Sequence, residues 1–282
     1  MTLDPDQLGR SKSDLAETLR RLRLEAGLTG DRLSARCGIS QSKISKIETG
    51  KITPNLVDVE RILRALGAPA ALLQEVSSLA RIANTEWQDK RASWRRGIEK
   101  RQAELMSLEA DATELRYFLP AMITGLLATP EYIRASLSHA PGDKTAVIGR
   151  KLERQAVLYD ESKSFTFLLT EQAVNWALVP PLAMALQIDR LASLTYLPRV
   201  RIGVIPHGTR LTRGPMNTFT MYDDRLVTME SFTGRVVFRD PRDVLHYCEI
   251  FSMFEGCALF GDDARIKLGE WANRCRGISR DL

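Results

Sequence analysis

Thirteen residues near the start of the chain, Gly38-Ile39-Ser40-Gln41-Ser42-Lys43-Ile44-Ser45-Lys46-Ile47-Glu48-Thr49-Gly50, admit few local structures. Ser40 follows a glycine turn and is placed to accept a backbone N–H as a helix N-cap. Ile44 and Ile47 recur at a step that buries one helical face. Gly50 stands where such a helix needs its C-terminal stop. The other face carries Gln41, Ser42, Lys43, Ser45 and Lys46, side chains of the kind that reach base edges and phosphates.

The flanking sequence supplies that support. Leu15, Leu19, Leu22 and Ala26 recur at three- and four-residue steps, which predicts a helix over 14–26, capped by Asp14 and ended by Gly27. Leu28-Thr29-Gly30-Asp31 opens a second helix with Leu33 and Cys37 facing inward, and Gly38 and Ile39 make the turn. A loop follows at 50–55. Leu56, Val59, Ile62, Leu63 and Leu66 then mark a helix closed by Gly67. The expectation is a compact all-α, five-helix unit over 14–68, preceded by a disordered arm at 1–13.

Charge agrees with a polyanionic partner. The chain has 40 Lys and Arg against 35 Asp and Glu, a net +5. The excess lies in the N-terminal third, and everything from Gln102 onward is slightly acidic. The cysteines (Cys37, Cys248, Cys257, Cys275) and histidines (His139, His207, His246) are scattered, so no metal and no cofactor are expected. No apolar run is long enough to span a bilayer, and the first residues do not read as a signal peptide. A cytoplasmic protein is expected.

With these residues in view, the N-terminal segment resembles the phage-repressor (XRE-type) helix-turn-helix family. The resemblance rests on Leu19-Arg20-x-Leu22-Arg23-x-x-x-Gly27-Leu28-Thr29, on Leu33-Ser34-x-x-Cys37-Gly38-Ile39-Ser40, and on Ile44-Ser45-Lys46-Ile47-Glu48-Thr49-Gly50. It implies double-stranded DNA as partner and entry of the third helix into the major groove. Gln41, Ser42 and Lys46 then become the base-contacting candidates, Lys43, Ser45 and Lys51 lie nearer phosphates, and Ser40 belongs to the same DNA-binding set. Family members carry Gln where this chain has Gly30, which leaves Thr29 and Arg32 as the nearest substitutes. The resemblance also implies an architectural ion pair between Arg23 and Glu48.

The remainder reads as mixed α and β. A helical stretch from Pro69 with Leu72, Leu73, Val76, Leu79 and Ile82 is expected to continue through Trp87 and Trp94, and another helix carries Leu105, Leu108, Ala112 and Leu115. Together they form a helical linker at 69–115. An apolar run broken by Pro120 and Gly125 follows. Helices are expected from Thr129-Pro130-Glu131 onward and over 144–160, 181–194, 241–260 and 262–275. Strands are expected at 165–169, 200–206, 218–222, 226–230 and 235–238. This gives a mixed α+β C-terminal domain with a small sheet over 116–275 and a tail at 276–282.

This second region resembles the domain of unknown function that follows the helix-turn-helix in actinobacterial WhiJ-type regulators. The matches are Gly125-Leu126-Leu127 with Thr129 and Tyr132; Arg150, Arg154-Gln155 and Leu158; Glu171; Gln187 with Leu191; Val204-Ile205-Pro206; and Glu230. The resemblance implies a small acidic partner protein that acts through this domain, and a homodimeric regulator. Arg150, Arg154, Gln155, Glu171 and Glu230 are the candidate pocket or partner-site residues, and the segments at 119–127 and 219–232 are candidate surfaces. A small-molecule effector pocket and an antitoxin-like sequestering role remain as alternatives. No nucleophile, metalloprotease, P-loop or dinucleotide motif is present, so no enzyme is expected.

Overall fold

The computed structural model describes residues 5–89, 108–139, 143–232 and 234–278. The chain divides into two compact units, one of residues 1–88 with 235–245, the other of residues 89–234 with 246–282.

The first unit opens with α1 (Pro5–Glu25), α2 (Gly30–Cys37), α3 (Gln41–Glu48), α4 (Leu56–Ala65) and α5 (Ala70–Asn84). One apolar cluster holds them: Leu15 and Leu19 of α1, Leu33 and Cys37 of α2, Ile44 and Ile47 of α3, Val59, Ile62 and Leu63 of α4, and Val76, Ala80 and Ala83 of α5. Each helix contributes a stripe at three- and four-residue steps, and the stripes meet in the middle. The starts of α2, α3 and α4 are fixed locally. Thr29, Ser40 and Asn55 accept the backbone N–H groups of Arg32, Lys43 and Asp58. Gly38 adopts φ +67° at the α2–α3 turn, a conformation in which a Cβ is strained.

Three expectations change here. The segment at 5–13 is helical, continuous with α1. Pro5 tolerates the first helical position and the residues after it are fair helix formers, yet they carry no apolar periodicity to announce a helix. The helix that begins after Pro69 is the fifth helix of the bundle, because Val76, Ala80 and Ala83 complete its core. That helix also stops at Asn84. Thr85–Asp89 form strand β1, which contains Trp87, whereas Trp94 and Leu105 lie outside the described residues.

The second unit is built on β2 (Glu114–Leu119), β3 (Ser164–Thr170), β4 (Val200–Ile205), β5 (Phe219–Tyr222) and β6 (Leu226–Glu230). Their order across the sheet is β6-β5-β2-β3-β4. β2, β3 and β4 are parallel, with Tyr117 opposite Phe167 and Phe167 opposite Ile202. β5 runs antiparallel to both β2 and β6, with Tyr117 opposite Thr220 and Thr220 opposite Thr228. The β2-to-β3 connection contains α6 (Pro130–Ser136), α7 (Thr145–Arg154) and a 3-10 turn (Gln155–Tyr159). The β3-to-β4 connection contains α8 (Gln172–Asn175) and α9 (Pro181–Leu194). After β7 (Gly234–Phe238), which lies beside β1, come α10 (Pro241–Glu255) and α11 (Gly261–Ile278).

The centre of the sheet, β2, stands where a helix carrying Leu115 was expected. The helical turn ends at residue 111, and Leu115 is the second residue of the strand. β2 is buried at Leu115 and at Tyr117–Leu119, while Glu114 is exposed and Arg116 half-buried. Leu115 falls at a helical step from Leu108 and Ala112, which is why the strand reads as the end of a helix. Its aromatic side chains fill both layers. Tyr117 stacks on Phe167 at 4.8 Å, and Phe118 stacks on Phe254 of α10 at 4.3 Å. Gly203 in β4 admits no side chain, since a Cβ there would lie 2.6 Å from the Phe260 ring. Within the stretch at 119–127, Leu119, Ile123, Leu126 and Leu127 are buried in the core, whereas Ala121 and Met122 are exposed.

Candidate nucleic-acid interface

The core fixes which face of α3 is free. Ile44 and Ile47 are sealed in the bundle, and Gln41, Ser42, Ser45 and Lys46 are exposed on the opposite side. Thr29, Arg32, Ser40 and Lys51 are exposed as well. Thr29 and Ser40 spend their hydroxyl oxygens as N-caps, which fixes the two helix starts next to the exposed face.

Two ion pairs hold α3, one near each end. Near its C-terminus, Arg23 of α1 donates from Nε to Glu48 Oε1 at 2.7 Å and from Nη2 to Oε2 at 2.8 Å. Its third nitrogen, Nη1, donates to the carbonyl of Leu28 at 2.7 Å. One guanidinium thereby joins α1, α3 and the entry to α2. The hydrogen bond to Glu48 raises the Arg23 pKa further above its already high value, against a smaller effect of burial.

Near the N-terminus of α3, Lys43 Nζ lies 2.7 Å from Asp58 Oδ2 of α4. Asp58 is buried and Lys43 is half-buried. Lys43 was expected nearer phosphates. Its charge is instead neutralised by Asp58, and it acts first as a strut between α3 and α4. Nothing in the spacing announces this pairing, because a lone aspartate in the first turn of a helix reads simply as a partner for the helix dipole.

Gly30 leaves a gap that the chain fills in part with Gln41. A Cβ on Gly30 would lie 3.8 Å from Gln41 Nε2. Around them is an open recess of about 300 Å³, lined also by Arg20, Ser45 and Thr49. Arg20 was not among the sequence candidates, and its place on the rim of this recess puts a further cation beside Gln41. Below α3, Asn84 Nδ2 donates to the carbonyl of Pro54 at 2.8 Å, tying the loop after the helix to α5.

The C-terminal candidates do different work. Arg154 makes a two-pronged pair with the buried Glu109, and Tyr117 donates to the same carboxylate at 3.0 Å. Burial disfavours the Arg154 charge, but the Glu109 carboxylate outweighs it and the guanidinium stays ionised. Gln155 donates to the carbonyls of Gly125 and Ala128, both at 2.8 Å. Gln187, wholly buried, donates to Leu127 and accepts from the N–H of Thr129. The two glutamines together satisfy the backbone of the Gly125-Leu126-Leu127 loop, which has no ladder to join. Glu171 accepts from the His207 N–H at 2.9 Å and from Arg274 at 3.0 Å, joining the ends of β3 and β4 to α11. Arg150 and Glu230 are half-buried on α7 and β6. Arg154, Gln155 and Glu171 thus bond to three different sets of partners. Glu109 as partner of Arg154, Arg190 as donor to Gln155 Oε1 at 2.6 Å and Arg274 as partner of Glu171 were missed, since contacts across 35 to 103 residues leave no periodic signal.

Among the described residues, no group of three or more His, Cys, Asp or Glu side chains is placed to hold a metal ion. No described helix is long and apolar enough to cross a membrane.

Known proteins bear on both units. Residues 14–76 match a helix-turn-helix domain, and residues 102–270 match a domain of unknown function (DUF5753). A curated relative from Methanothermobacter thermautotrophicus, named an uncharacterized HTH-type transcriptional regulator, is 41% identical over 49 residues. That match covers 17% of this chain and 71% of the relative. Among solved structures, the phospholipase D family member Nuc from Salmonella typhimurium aligns with a TM-score of 0.36 and 8% identity, over 57% of this chain and 90% of its own. The archaeal chromatin protein TrmBL2 aligns with a TM-score of 0.30 and 11% identity, over 63% of this chain and 53% of its own. Neither of these two likenesses carries any functional weight at such scores. The match over residues 102–270 spans more than half the chain, which belongs to the family defined by this domain of unknown function and carries it behind a helix-turn-helix domain.

Proposed function

We propose that this protein is a sequence-specific DNA-binding transcriptional regulator that reads the major groove with α3. The observation that carries this reading is the exposed row Gln41, Ser42, Ser45 and Lys46 on a helix fixed by Ile44 and Ile47 beneath and by ion pairs near both ends. A rigid, polar, cationic helix of two turns fits base readout, which needs side chains held in register with the base edges. Gln41 and Lys46 serve as base-reading groups. Ser42 and Ser45 support them, and Thr29, Arg32, Ser40 and Lys51 meet phosphates. The DNA-binding unit extends through α5, to residue 84.

The protein acts in this reading as a homodimer on inverted repeats, with half-sites about one helical turn apart. The domain of unknown function receives a small acidic partner protein that alters the action on DNA. The resemblance of this region to regulators of that kind supports the assignment.

Selection of DNA sites from a random pool with the full-length protein, followed by footprinting, tests the reading. Gln41→Ala and Lys46→Ala are each expected to weaken the selected site by about 1–3 kcal/mol while leaving the melting temperature in place. No enriched site, or a footprint insensitive to both substitutions, would overturn it.

A further inference from the structure

The second unit exposes an apolar ridge beside a cleft. Trp176, Leu178, Leu182 and Leu186 fall within eleven residues, and Trp176, Leu182 and Leu186 are 55%, 57% and 64% exposed. Leu182 and Leu186 are one turn apart on α9, so they stand on one face of it. Single exposed leucines are ordinary, but a tryptophan and three leucines gathered at one helix start are not. Beside them lies an open cleft of about 520 Å³ between α6 and the start of α9. Leu178, Val179, Pro180 and Ala183 line its apolar side.

The charged side of the cleft is specific in sign. Arg134 of α6 and Lys144 line it, against the single carboxylate of Glu131. Glu131 sits in the first turn of α6, where the helix dipole already favours a negative charge. Among the described residues, no carboxylate pairs with Arg134. Lys144 Nζ donates to the carbonyl of Ser138 at 3.2 Å, and among the described residues no carboxylate pairs with it. An apolar groove with two cations along one wall complements a segment that alternates apolar side chains with carboxylates.

We infer that the cleft between α6 and α9, with the ridge Trp176–Leu178–Leu182–Leu186, is the docking site for an acidic amphipathic segment of a partner protein. Leucine-like side chains of that segment enter the apolar side, and its carboxylates meet Arg134 and Lys144. The inference rests on the proposed control of this regulator by a protein partner and names the surface and chemistry of that control.

The test uses the full-length protein and two labelled helical peptides, one of leucine and glutamate and one of leucine and lysine in the same order. Fluorescence anisotropy is expected to show binding of the glutamate peptide that weakens with salt, and about tenfold weaker binding of the lysine peptide. Leu182→Glu with Leu186→Glu should lower glutamate-peptide affinity at least about tenfold. Arg134→Glu with Lys144→Glu should do the same and reverse the preference between the peptides. The second pair replaces one exposed and one half-buried side chain outside the core, so it keeps the test open if the first variant melts early. Binding blind to peptide charge, or unmoved by either double variant, would overturn the inference. So would self-association lost on Leu182→Glu with Leu186→Glu, which makes the ridge an interface between copies. Co-sedimentation with anionic phospholipid vesicles, lost in the same variant, would reassign the ridge to a membrane and also overturn it. DNA binding is read separately on the same samples. Its loss in the wild type defeats the regulator reading, whereas intact DNA binding without peptide binding defeats only the docking site.

Discussion

Arg23 closes a two-pronged ion pair on Glu48 and spends its remaining nitrogen on the carbonyl of Leu28, so one side chain positions both the DNA-facing helix and the turn before α2. The two side chains are 13% and 10% exposed, which places the pair near the buried end of the scale. Removing one partner of a buried pair strands the other, at about 3–5 kcal/mol, and the residual exposure here brings the expected loss to about 2–4 kcal/mol. Arg23→Met and Glu48→Met should each show it in urea titrations. The double variant should recover part of the loss, because neither charge is then left unpaired. Strictly additive losses would remove the pair from its architectural role.

The second strut has a different consequence. Asp58 cancels Lys43, so Lys43 contributes little to the field that a phosphate meets at the start of α3. Asp58→Asn should cost modest stability and release that cation. The slope of log affinity against log salt for DNA should then steepen by about 0.9, the contribution of one further phosphate contact. An unchanged slope would mean that Lys43 does not face the backbone even when freed.

The loop holding Gly125, Leu126 and Leu127 depends on two buried amides rather than on a ladder. Gln187→Leu keeps the volume and removes both hydrogen bonds, leaving the Thr129 N–H and the Leu127 carbonyl without these partners. The expected loss is about 1–3 kcal/mol for each group left unpaired. It should appear as faster hydrogen exchange at residues 125–129, with the first unit unaffected. Exchange that rises equally across the chain would show that the amide holds more than this loop.

What the sequence reveals follows range. The helices of the first unit are legible because their apolar stripes and caps lie within four residues of one another: Ser40 on Lys43, Ile44 with Ile47, Asn55 on Asp58. The arm fails this rule, since residues 5–13 are helical without a stripe. β2 hides for a different reason: Leu115 falls at a helical step from Leu108 and Ala112, and the buried run Tyr117–Leu119 that follows shows no alternation. Among the site residues, the exposed row on α3 can be read from spacing alone. Lys43 with Asp58, and Gln41 leaning toward the gap at Gly30, cannot, because each depends on how two helices meet. In the C-terminal domain the motif positions are recognisable as a set, yet their meaning as seams of the fold appears only with Glu109, Gln187 and Arg274 in place.

Acid should loosen the second unit through Glu171. Burial works against its ionised form, but the His207 N–H and the Arg274 guanidinium outweigh that and hold the carboxyl below the usual glutamate range. A folded-state pKa below the unfolded value of about 4.3 stabilises the fold above that value. The contribution disappears as pH falls from there through the depressed folded value. Asp223, held low by N–H groups of Thr113 and Glu114 in spite of burial, acts in the same direction, with its contribution lost as pH falls below the unfolded aspartate value of about 3.9. Glu171→Gln should therefore melt lower than the wild type at pH 7 and lose less between pH 6 and 3. Parallel melting curves for the two proteins across that range would show that the Glu171 charge does not couple to folding.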